Sequence, residues 1–547
     1  MDTILFNGKV YVEKGHYVEA VKVDGNLISK IGSNEEVLAL KDANTRLIDC
    51  KGKTLIPGLN DSHMHCTQFG EVKAKAPIDK ARSVDELVAI CQDFLKKNPD
   101  KCKNGLHAIG WNQDLYPDKR MPNRYDLDKI STDIPVIVER VCGHVLSGNS
   151  KVVELMGLED YQGSLESGEI YKDENGVPNG IVSEYLCNLA NELIPKPSLD
   201  EQRKILVETM DYLVSHGLTS VQSNDVGTTF FDADKAFALL HDIYDKGEGK
   251  VRYRHQVCFN DIEEFKKYLS EGEYAKGDYP EDGLLQLGPL KLFKDGSLGA
   301  RTALMKNGYA DDPDNHGTLW LSDEDMDAYC ILAAQNGLQV VTHCIGDLAV
   351  EKTMDSYEKA FVNGKNELRH ALVHCQVTDE EIIQRIIDKD ILVFAQPIFL
   401  DYDMKIVEEL CGKDLADTSY AFGTLIKRGA HLAYGTDAPV EDCNPFPNIY
   451  MAVTRCDISG YPEGGFNPKE KVDVETAIDA YTLGSAYGEF MEDKLGRIKE
   501  GYLADMILLD RDIFTVDPME IKDILPVLTM VNGSLMFEKE GAYEICM

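Results

Sequence analysis

The sequence predicts an α/β fold: a (β/α)8 TIM barrel with a small β-sandwich-like domain built from both termini and a large insertion after the first barrel strand. Three observations predict it. From about residue 201 onward, an amphipathic helix, a glycine and a short apolar strand recur; eight such strands can be counted along the chain; and the first strand leads into Asp61-Ser62-His63-Met64-His65. An open doubly wound sheet, the alternative, would need a glycine-rich phosphate turn at that position.

The recurring helices are predicted to end at glycines, because glycine adopts the left-handed conformation that closes a helix. Apolar runs follow these glycines, as is typical of buried parallel strands. Ser322 with Asp325 and Thr378 with Glu381 have the spacing of a capping box and predict two helix starts. The glycines are Gly217, Gly337 and Gly429.

The predicted barrel strands divide the 547 residues into three parts. Residues 54–495 form the barrel, including an insertion at 66–215 that we expect to be a cap or subdomain. Residues 1–53 and 496–547 contain alternating segments and Asp-Gly or Asn-Gly turns, which predict one composite β-domain. The strands are 54–60, 218–223, 251–258, 284–293, 338–343, 370–375, 391–396 and 431–436.

The composition excludes some functions. Asp and Glu number 94 against 57 Lys and Arg, for a net charge of −37. Such a surface repels phosphate backbones and anionic lipid, so we expect neither nucleic-acid nor membrane binding. The sequence shows no signal peptide and no apolar run of about 18 residues, so a cytoplasmic location is expected. Its 14 cysteines lack close pairing and predict reduced thiols.

Ionisable residues follow the predicted strands at their carboxyl ends, where barrel enzymes place their active sites. His63 and His65 share one side of strand one, as residues i and i+2 do, and form a pair of metal ligands. Four further residues lie on other strands: Lys291 on strand four, His343 on strand five, His374 on strand six and Asp437 on strand eight. Any one of these six side chains could be a structural residue, but together they predict a metal site. Lys294 competes with Lys291 but should face the opposite side of its strand.

At these residues the chain resembles the amidohydrolase superfamily, and within it the amidohydrolase-3 branch of N-substituted formamide deformylase-like metal-dependent hydrolases. The resemblance runs nearly end to end. It rests on Leu55-Ile56-Pro57-Gly58-Leu59 with the following His63 and His65, Lys291-Leu292-Phe293, Asp295-Gly296-Ser297, His343-Cys344-Ile345-Gly346-Asp347, Arg369-His370 ahead of His374, Gly435-Thr436-Asp437-Ala438-Pro439 and Gly501-Tyr502-Leu503-Ala504-Asp505.

The resemblance implies a zinc-dependent hydrolase in which His63, His65, His343, His374 and Asp437 surround one or two divalent metals, with iron or manganese as alternatives to zinc. Lys291 matches the family's strand-four lysine, which carbon dioxide can carboxylate so that it bridges two metals. Many relatives have Glu before the strand-six histidine. Here Val373 stands there, so we expect a second contact to the metal ligand to be missing.

The implied chemistry is hydrolysis of a C–N bond in an amide, formamide or cyclic amide. A bound divalent cation activates water, and Asp437 takes its proton and delivers it to the leaving amine. The alternatives are a deaminase of the same superfamily, against which Lys291 argues, and a non-catalytic scaffold, which would lack several ligands. We expect a small-molecule substrate and, on symmetry base rates, a homodimer.

Residues predicted to contact the substrate lie outside the metal set. Three are in the insertion, where Trp111 could equally be a core residue. The other three lie at or near strand ends, where the arginines could equally form structural ion pairs. The first group is Trp111, His144 and Asn149, and the second is Arg301, Gln396 and Arg455.

Overall fold

The computed structural model describes residues 2–141, 144–163, 168–226, 233–277, 279–280 and 283–546. The chain divides into two compact units. The first is Met1–Gln68 with Val207–Met547, and the second is Phe69–Leu206. Over the described ranges, no helix is both long and apolar enough to cross a membrane.

The first unit begins with short strands joined by tight turns. Ser33 starts its first helix in a capping box with Glu36. The elements are β1 (Thr3–Phe6), β2 (Lys9–Glu13), β3 (His16–Val18), β4 (Ala20–Asp24), β5 (Leu27–Gly32), α1 (Asn34–Leu38), β6 (Arg46–Asp49), β7 (Thr54–Pro57) and β8 (Leu59–Met64).

The second unit has its own five-stranded sheet, ordered β12-β13-β11-β10-β9, and its own apolar core. It falls within the insertion predicted at 66–215. Its elements, with α2 and α7 running across its boundaries, are α2 (Cys66–Lys73), α3 (Val84–Lys97), β9 (Leu106–Trp111), α4 (Arg124–Leu127), β10 (Val136–Arg140), β11 (Val145–Gly148), α5 (Ser150–Met156), β12 (Ile170–Lys172), β13 (Pro178–Ser183), α6 (Tyr185–Asn191) and α7 (Leu199–Ser215).

The remainder of the first unit alternates strands with helices and then returns to short strands. The elements are β14 (Leu218–Ser223), α8 (Ala233–Asp245), β15 (Arg252–His255), α9 (Ile262–Ser270), α10 (Glu273–Lys276), β16 (Leu285–Gln286), β17 (Leu290–Phe293), α11 (Asp323–Gln335), β18 (Val340–Cys344), α12 (Asp347–Lys359), β19 (Ala371–His374), α13 (Glu380–Asp388), β20 (Leu392–Ala395), α14 (Leu400–Asp403), α15 (Val407–Cys411), α16 (Lys413–Ala416), α17 (Phe422–Lys427), β21 (Leu432–Tyr434), α18 (Pro445–Thr454), α19 (Val474–Asp479), α20 (Ser485–Gly488), β22 (Met506–Leu509), β23 (Pro526–Val531), β24 (Ser534–Glu538) and β25 (Glu544–Cys546).

Two parallel sheets hold the strands that were predicted for the barrel. Their orders are β16-β15-β14-β8 and β17-β18-β19-β20-β21, and neighbouring strands within each are parallel. Backbone hydrogen bonds join the sheets on both sides. Lys291 N donates to Val257 O at 2.7 Å on one side, and Asp437 N donates to His63 O at 2.9 Å on the other.

The predicted first strand, 54–60, is wrong in its bounds. The chain breaks it at Gly58, so that β7 joins a terminal sheet and β8 joins the parallel sheet. Gly58 N donates to Asp505 O, and a Cβ at position 58 would lie 2.2 Å from Thr219 Oγ1. Only glycine allows this close approach. The predicted strand 284–293 is likewise two strands, β16 and β17.

Helix ends mostly follow the predicted signals. Gly217, Gly337 and Gly429 all have positive φ and follow the ends of α7, α11 and α17. Ser322 accepts a hydrogen bond from Asp325 N, as a capping residue should. The second predicted cap is wrong: Asp379, not Thr378, caps α13 by accepting from Ile382 N.

Strands from both ends of the chain pair in two mixed sheets, ordered β25-β6-β1-β4-β5 and β24-β23-β22-β7-β2-β3. β25 pairs with β6, and β22 pairs with β7, so the last residues complete sheets that the first residues begin. Buried side chains such as Val21, Leu55 and Met530 form their common core. β7 contributes to this core, and β8, which belongs to the parallel sheet, begins after a single intervening residue, Gly58.

Candidate metal centre

Three ionisable side chains converge at the carboxyl ends of β8 and β21. The nitrogen and oxygen ligand atoms of His63, His65 and Asp437 all lie within 4.8 Å of one another. Nε2 of His63 and Nε2 of His65 are 3.3 and 3.2 Å from Asp437 Oδ1. Oδ1 is buried, and no described residue donates a hydrogen bond to it in good geometry. Two imidazole nitrogens and a carboxylate oxygen that converge in this way fit a divalent metal such as zinc.

Each imidazole is oriented by a hydrogen bond from its other ring nitrogen. Nδ1 of His63 bonds Gln256 Oε1 at 2.6 Å, and Nδ1 of His65 bonds the carbonyl of Asn224 at 3.0 Å. Because these acceptors need a proton on Nδ1, they leave the lone pair on Nε2, which faces Asp437. Such contacts set the tautomer of metal-binding histidines.

His343 and His374 lie beside this group, on the ends of β18 and β19. Their ring centroids are 4.5 Å apart, and the ring of His374 is 5.8 Å from that of His63. Nδ1 of His374 bonds Gln396 Oε1 at 2.8 Å, while Nε2 of His343 bonds the carbonyl of Gly296 at 2.9 Å. The structure therefore brings all four predicted histidines and Asp437 to one end of the parallel sheets.

The backbone at two of these positions adopts a conformation that is rare for side chains other than glycine. His374 has φ 74° and Asp437 has φ 57°. Such strain is tolerated where surrounding contacts enforce it, and it concentrates at functional sites. One such contact is Asp61, which accepts hydrogen bonds from His63 N, Thr436 N and Thr436 Oγ1 and so ties β8 to the residue before Asp437.

The charges at the centre are coupled. Burial opposes ionisation of Asp437, but His65, His63 and His374 outweigh it and hold its pKa well below the usual range. Burial also disfavours the charged form of His65, yet Asp437 raises the pKa of that imidazole above its ordinary value. Burial lowers the pKa of His374 to about 4. Asp437 is thus held as a carboxylate, and His374 as a neutral imidazole, both suited to bind a cation.

Lys291 is buried on β17, and its interior location lowers the pKa of its ammonium group to about 8. Its Nζ lies 3.5 Å from the centroid of the Phe293 ring. The Lys294 ammonium instead pairs with Asp323 at 2.6 Å and donates to the carbonyl of Leu321. The two lysines therefore have different partners, as the alternation of side chains along a strand predicts.

The three residues predicted at strand ends for substrate contact have internal partners. Gln396 holds His374 and donates to the carbonyl of Phe394. Arg301 forms an ion pair with Asp311. Arg455 is buried and donates to the carbonyls of Phe466 and Tyr420. Gln396 thus positions His374, and Arg301 forms the structural ion pair that was the alternative to substrate contact. The buried Nη2 of Arg455 has no partner among the described residues, and substrate contact by either arginine stays a prediction.

The three predicted residues of the insertion lie in the second unit. Trp111 is fully buried in that unit's core and donates from Nε1 to the carbonyl of Val138. Asn149 is buried and caps α5. His144 is exposed and lies 3.1 Å from Glu184. Trp111 and Asn149 therefore have the contacts of structural residues, which corrects their interpretation as pocket residues, while the role of His144 stays a prediction.

Several residues of the centre were not singled out from the sequence. Gln256 and Asn224 hold the imidazoles through contacts between segments that are distant along the chain, and Asp61 accepts from His63 N within β8. Two aromatic rings, Phe293 and Phe399, lie 5.8 Å from the rings of His343 and His374. The Asp61-x-His63-x-His65 alternation is the one signal that could have identified Asp61.

Val373 does not leave the neighbouring ligand unsupported. It is fully buried among apolar residues of the parallel sheet, next to Phe394. Gln396 supplies the hydrogen bond to His374 from the adjacent strand end. His374 therefore has a hydrogen-bond partner, while the absence of the contact that a Glu at position 373 would make stays a prediction.

Comparison with known proteins yields consistent matches. Residues 46–537 match the model of a family described as the amidohydrolase family. YtcJ of Bacillus subtilis (strain 168), a protein named as an amidohydrolase, is 31% identical over 544 residues, covering 98% of this chain and 100% of its own. N-substituted formamide deformylase of Arthrobacter pascens is 23% identical over 559 residues, covering 99% of each chain. An uncharacterised metal-dependent hydrolase from Pyrococcus furiosus has a similar structure, with a TM-score of 0.75, 28% identity, and coverage of 94% of this chain and 100% of its own.

Proposed function

Because the chain belongs to the amidohydrolase family, we propose that it is a metal-dependent hydrolase that cleaves the C–N bond of an amide, formamide or cyclic amide in a small molecule. The observation that carries this proposal is the convergence of His63, His65 and Asp437 within 4.8 Å. The full-length similarity to N-substituted formamide deformylase favours a formamide or another simple amide among the substrates that the family admits.

The fold supports this assignment. We infer that the two parallel sheets form one (β/α)8 barrel, since hydrogen bonds connect them at Lys291 with Val257 and at His63 with Asp437. In such barrels catalytic side chains come from the carboxyl ends of several strands. β8, β18, β19 and β21 supply them here.

A divalent metal, zinc by preference with iron or manganese as alternatives, supplies a Lewis acid and a water of lowered pKa. His63, His65, His343, His374 and Asp437 would hold one or two such ions. Asp437 is held as a carboxylate beside its histidine neighbours and would accept a proton from the attacking water. The same carboxyl group would then deliver that proton to the leaving nitrogen.

Lys291 is proposed to be carboxylated and to bridge two metals. Its buried side chain supports this, because only the neutral amine attacks carbon dioxide and burial brings the lysine pKa to about 8. A cytoplasmic location and a homodimer remain predictions from the sequence.

The experiment is an activity screen of metal-replete protein on N-formyl, N-acyl and cyclic amides, with elemental analysis of the same sample. We expect bound zinc, iron or manganese and amine release from at least one amide class. Ammonia release from a heteroaromatic amine, without amide hydrolysis, would replace the proposal by a deaminase. Metal-free protein that hydrolyses no amide would support a scaffold.

Lysine carboxylation is tested separately, by intact mass under bicarbonate and by the metal content of Lys291→Ala. A mass increase of one carbon dioxide and a second metal, both lost in the variant, are expected. One metal per chain in both proteins would reject the bridging role.

A further inference from the structure

A cavity of about 300 Å³ lies in the first unit, away from the metal centre. Ser220, Arg252, Arg254 and Glu489 are among its lining residues. Arg252 begins β15, whereas Gln256, which holds His63, follows the end of that strand. Because a strand rises about 3.3 Å per residue, the cavity lies toward the amino-terminal end of the strands, opposite the histidines.

The side chains of β15 explain why two arginines reach this cavity. Successive residues of a strand face opposite sides. His255 packs on Phe237 of α8, with ring centroids 4.9 Å apart, so Tyr253 and His255 face the helix layer. Arg252 and Arg254 therefore face the inner side of the parallel sheet.

Arg254 has polar atoms without partners. Its Nε and Nη1 are buried, and no residue in the described ranges accepts a hydrogen bond from either. The buried hydroxyl of Ser220, which lines the same cavity, also has no partner among them. Arg254 as a whole is half-buried, and a guanidinium with unsatisfied donors beside a cavity favours a ligand that carries acceptor oxygens.

The other groups of the cavity offset the charge of Arg254 only in part: Glu489 interacts with it electrostatically, and its guanidinium carbon lies 6.0 Å from the centroid of the Phe490 ring. Arg252 is already paired with Asp505 at 2.7 Å. Glu489 accepts a hydrogen bond from Asn60 Nδ2 at 2.7 Å, and within the described chain it forms no ion pair with Arg254. Burial raises the pKa of the Glu489 carboxyl to about 7 against the opposing effect of Arg254, so the group keeps a partial negative charge near neutral pH that would oppose a bound anion.

We propose that this cavity is a second binding site, which takes a small oxyanion, the carboxylate or phosphate group of a small molecule. The guanidinium of Arg254 and the hydroxyl of Ser220, whose unpartnered atoms are buried, would turn toward the anion and donate to it. A volume of about 300 Å³ suits a small metabolite. The proposal does not depend on the reaction at the metal centre.

The test is calorimetric titration of the full-length protein with inorganic phosphate, acetate and, as a neutral analogue, acetamide. Arg254→Gln should weaken anion binding by about tenfold or more, because it removes the charged donor. Glu489→Gln keeps the acceptor for Asn60 but removes the carboxylate, so anion affinity should rise about three- to tenfold. Arg428→Gln, a half-buried arginine paired with Glu380, is the matched control and should not change anion affinity.

The opposite responses of the two cavity variants make the result decisive. A misfolded Glu489→Gln protein could not bind more tightly, and circular dichroism would check the fold of Arg254→Gln. Phosphate bound at the metal centre would be insensitive to both variants, so equal affinities in wild type, Arg254→Gln and Glu489→Gln would overturn the proposal. Acetamide binding as tightly as acetate would also overturn it. Binding of acetate alone or phosphate alone would support it and identify the anion's class.

Discussion

Asp437 combines three properties that suit the metal binding and proton transfer proposed for it. It is buried, its backbone has φ 57°, and its Oδ1 faces the Nε2 atoms of His63 and His65. The hydrogen bonds of Asp61 to Thr436 hold the preceding residue. The carboxylate is therefore fixed in place and ionised before any substrate arrives.

Asp437→Asn is expected to lower kcat about 10²- to 10⁴-fold, because an amide cannot take a proton from water. The histidines remain, so at least part of the metal should be retained. Steady-state kinetics on the amide found in the screen, with metal analysis, measures both effects. Asp414→Asn, an exposed substitution, is the control; near-normal turnover of Asp437→Asn would remove the assigned role.

Acid is expected to destabilise the protein through His370. It is fully buried, Val340 N donates to its Nδ1, and burial lowers its pKa to about 4. The unfolded chain, with a histidine pKa near 6.5, binds the proton first, so stability falls as pH falls from about 6.5 to 4. The loss from this residue is about 3 kcal/mol across that window.

Urea unfolding at pH 7 and pH 5 measures this loss. His370→Asn keeps an acceptor for Val340 N without the titrating ring, so its free energy of unfolding should depend less on pH than that of the wild type. The exposed His16→Asn serves as the control. An unchanged pH dependence in His370→Asn would show that other groups control acid unfolding.

At the level of secondary structure, the break between β7 and β8 decides which sheet each half of an apolar run joins. Gly58 lies where the backbone passes Thr219 on β14, with no room for a Cβ. Its amide donates to Asp505 O in the loop that precedes β22. One residue thus lets a single segment serve a terminal sheet and the parallel sheet.

Gly58→Ala should reduce the free energy of unfolding by about 1–3 kcal/mol, the usual cost of overpacking a core. Gly299→Ala is the matched control, because its added Cβ would meet only atoms at 3.7 Å. Chemical denaturation of both variants tests the prediction. Equal stability of the two would mean that β8 can move away from Thr219 at little cost.

At the scale of the whole molecule, a buried ion pair connects the parallel sheet with the C-terminal strands of the first unit. Arg252 on β15 donates from Nε to Asp505 at 2.7 Å, and both side chains are about 5% exposed. Asp505 also accepts from Asn532 N, just beyond β23. The terminal strands are therefore held to the parallel sheet by charge as well as by their apolar core.

Asp505→Ala is expected to cost about 3–5 kcal/mol, because it leaves the Arg252 charge buried without its partner. Adding Arg252→Met should recover much of the loss by removing that charge. Thermal or urea unfolding of the two variants provides the comparison. If the double variant were less stable than Asp505→Ala, the loss of stability in Asp505→Ala would not come from the unpaired buried charge of Arg252.

Much of this architecture was accessible from the sequence because it depends on local patterns. Glycines at helix ends and apolar runs predicted the helix–strand alternation, and strand-end histidines predicted the metal ligands. Boundaries such as 54–60 were misjudged, since an apolar run does not reveal which sheet its two halves join. Thr378 was misjudged as a cap for a similar reason: its hydroxyl donates to Thr418 O, a partner 40 residues away.

The sequence by itself predicted the parallel strands and the convergence of the four histidines with Asp437, because side-chain type and periodicity are local properties; the role of Lys291 stays a prediction. Only the tertiary structure decided that Gln256, Asn224 and Gln396 orient the imidazoles, and that Arg254 lines a cavity with no acceptor for its Nε and Nη1 among the described residues. The three hydrogen bonds that orient the imidazoles join residues 22 to 193 positions apart. Hydrogen bonds between distant residues depend on how the strands are arranged in space, which no short pattern in the chain encodes.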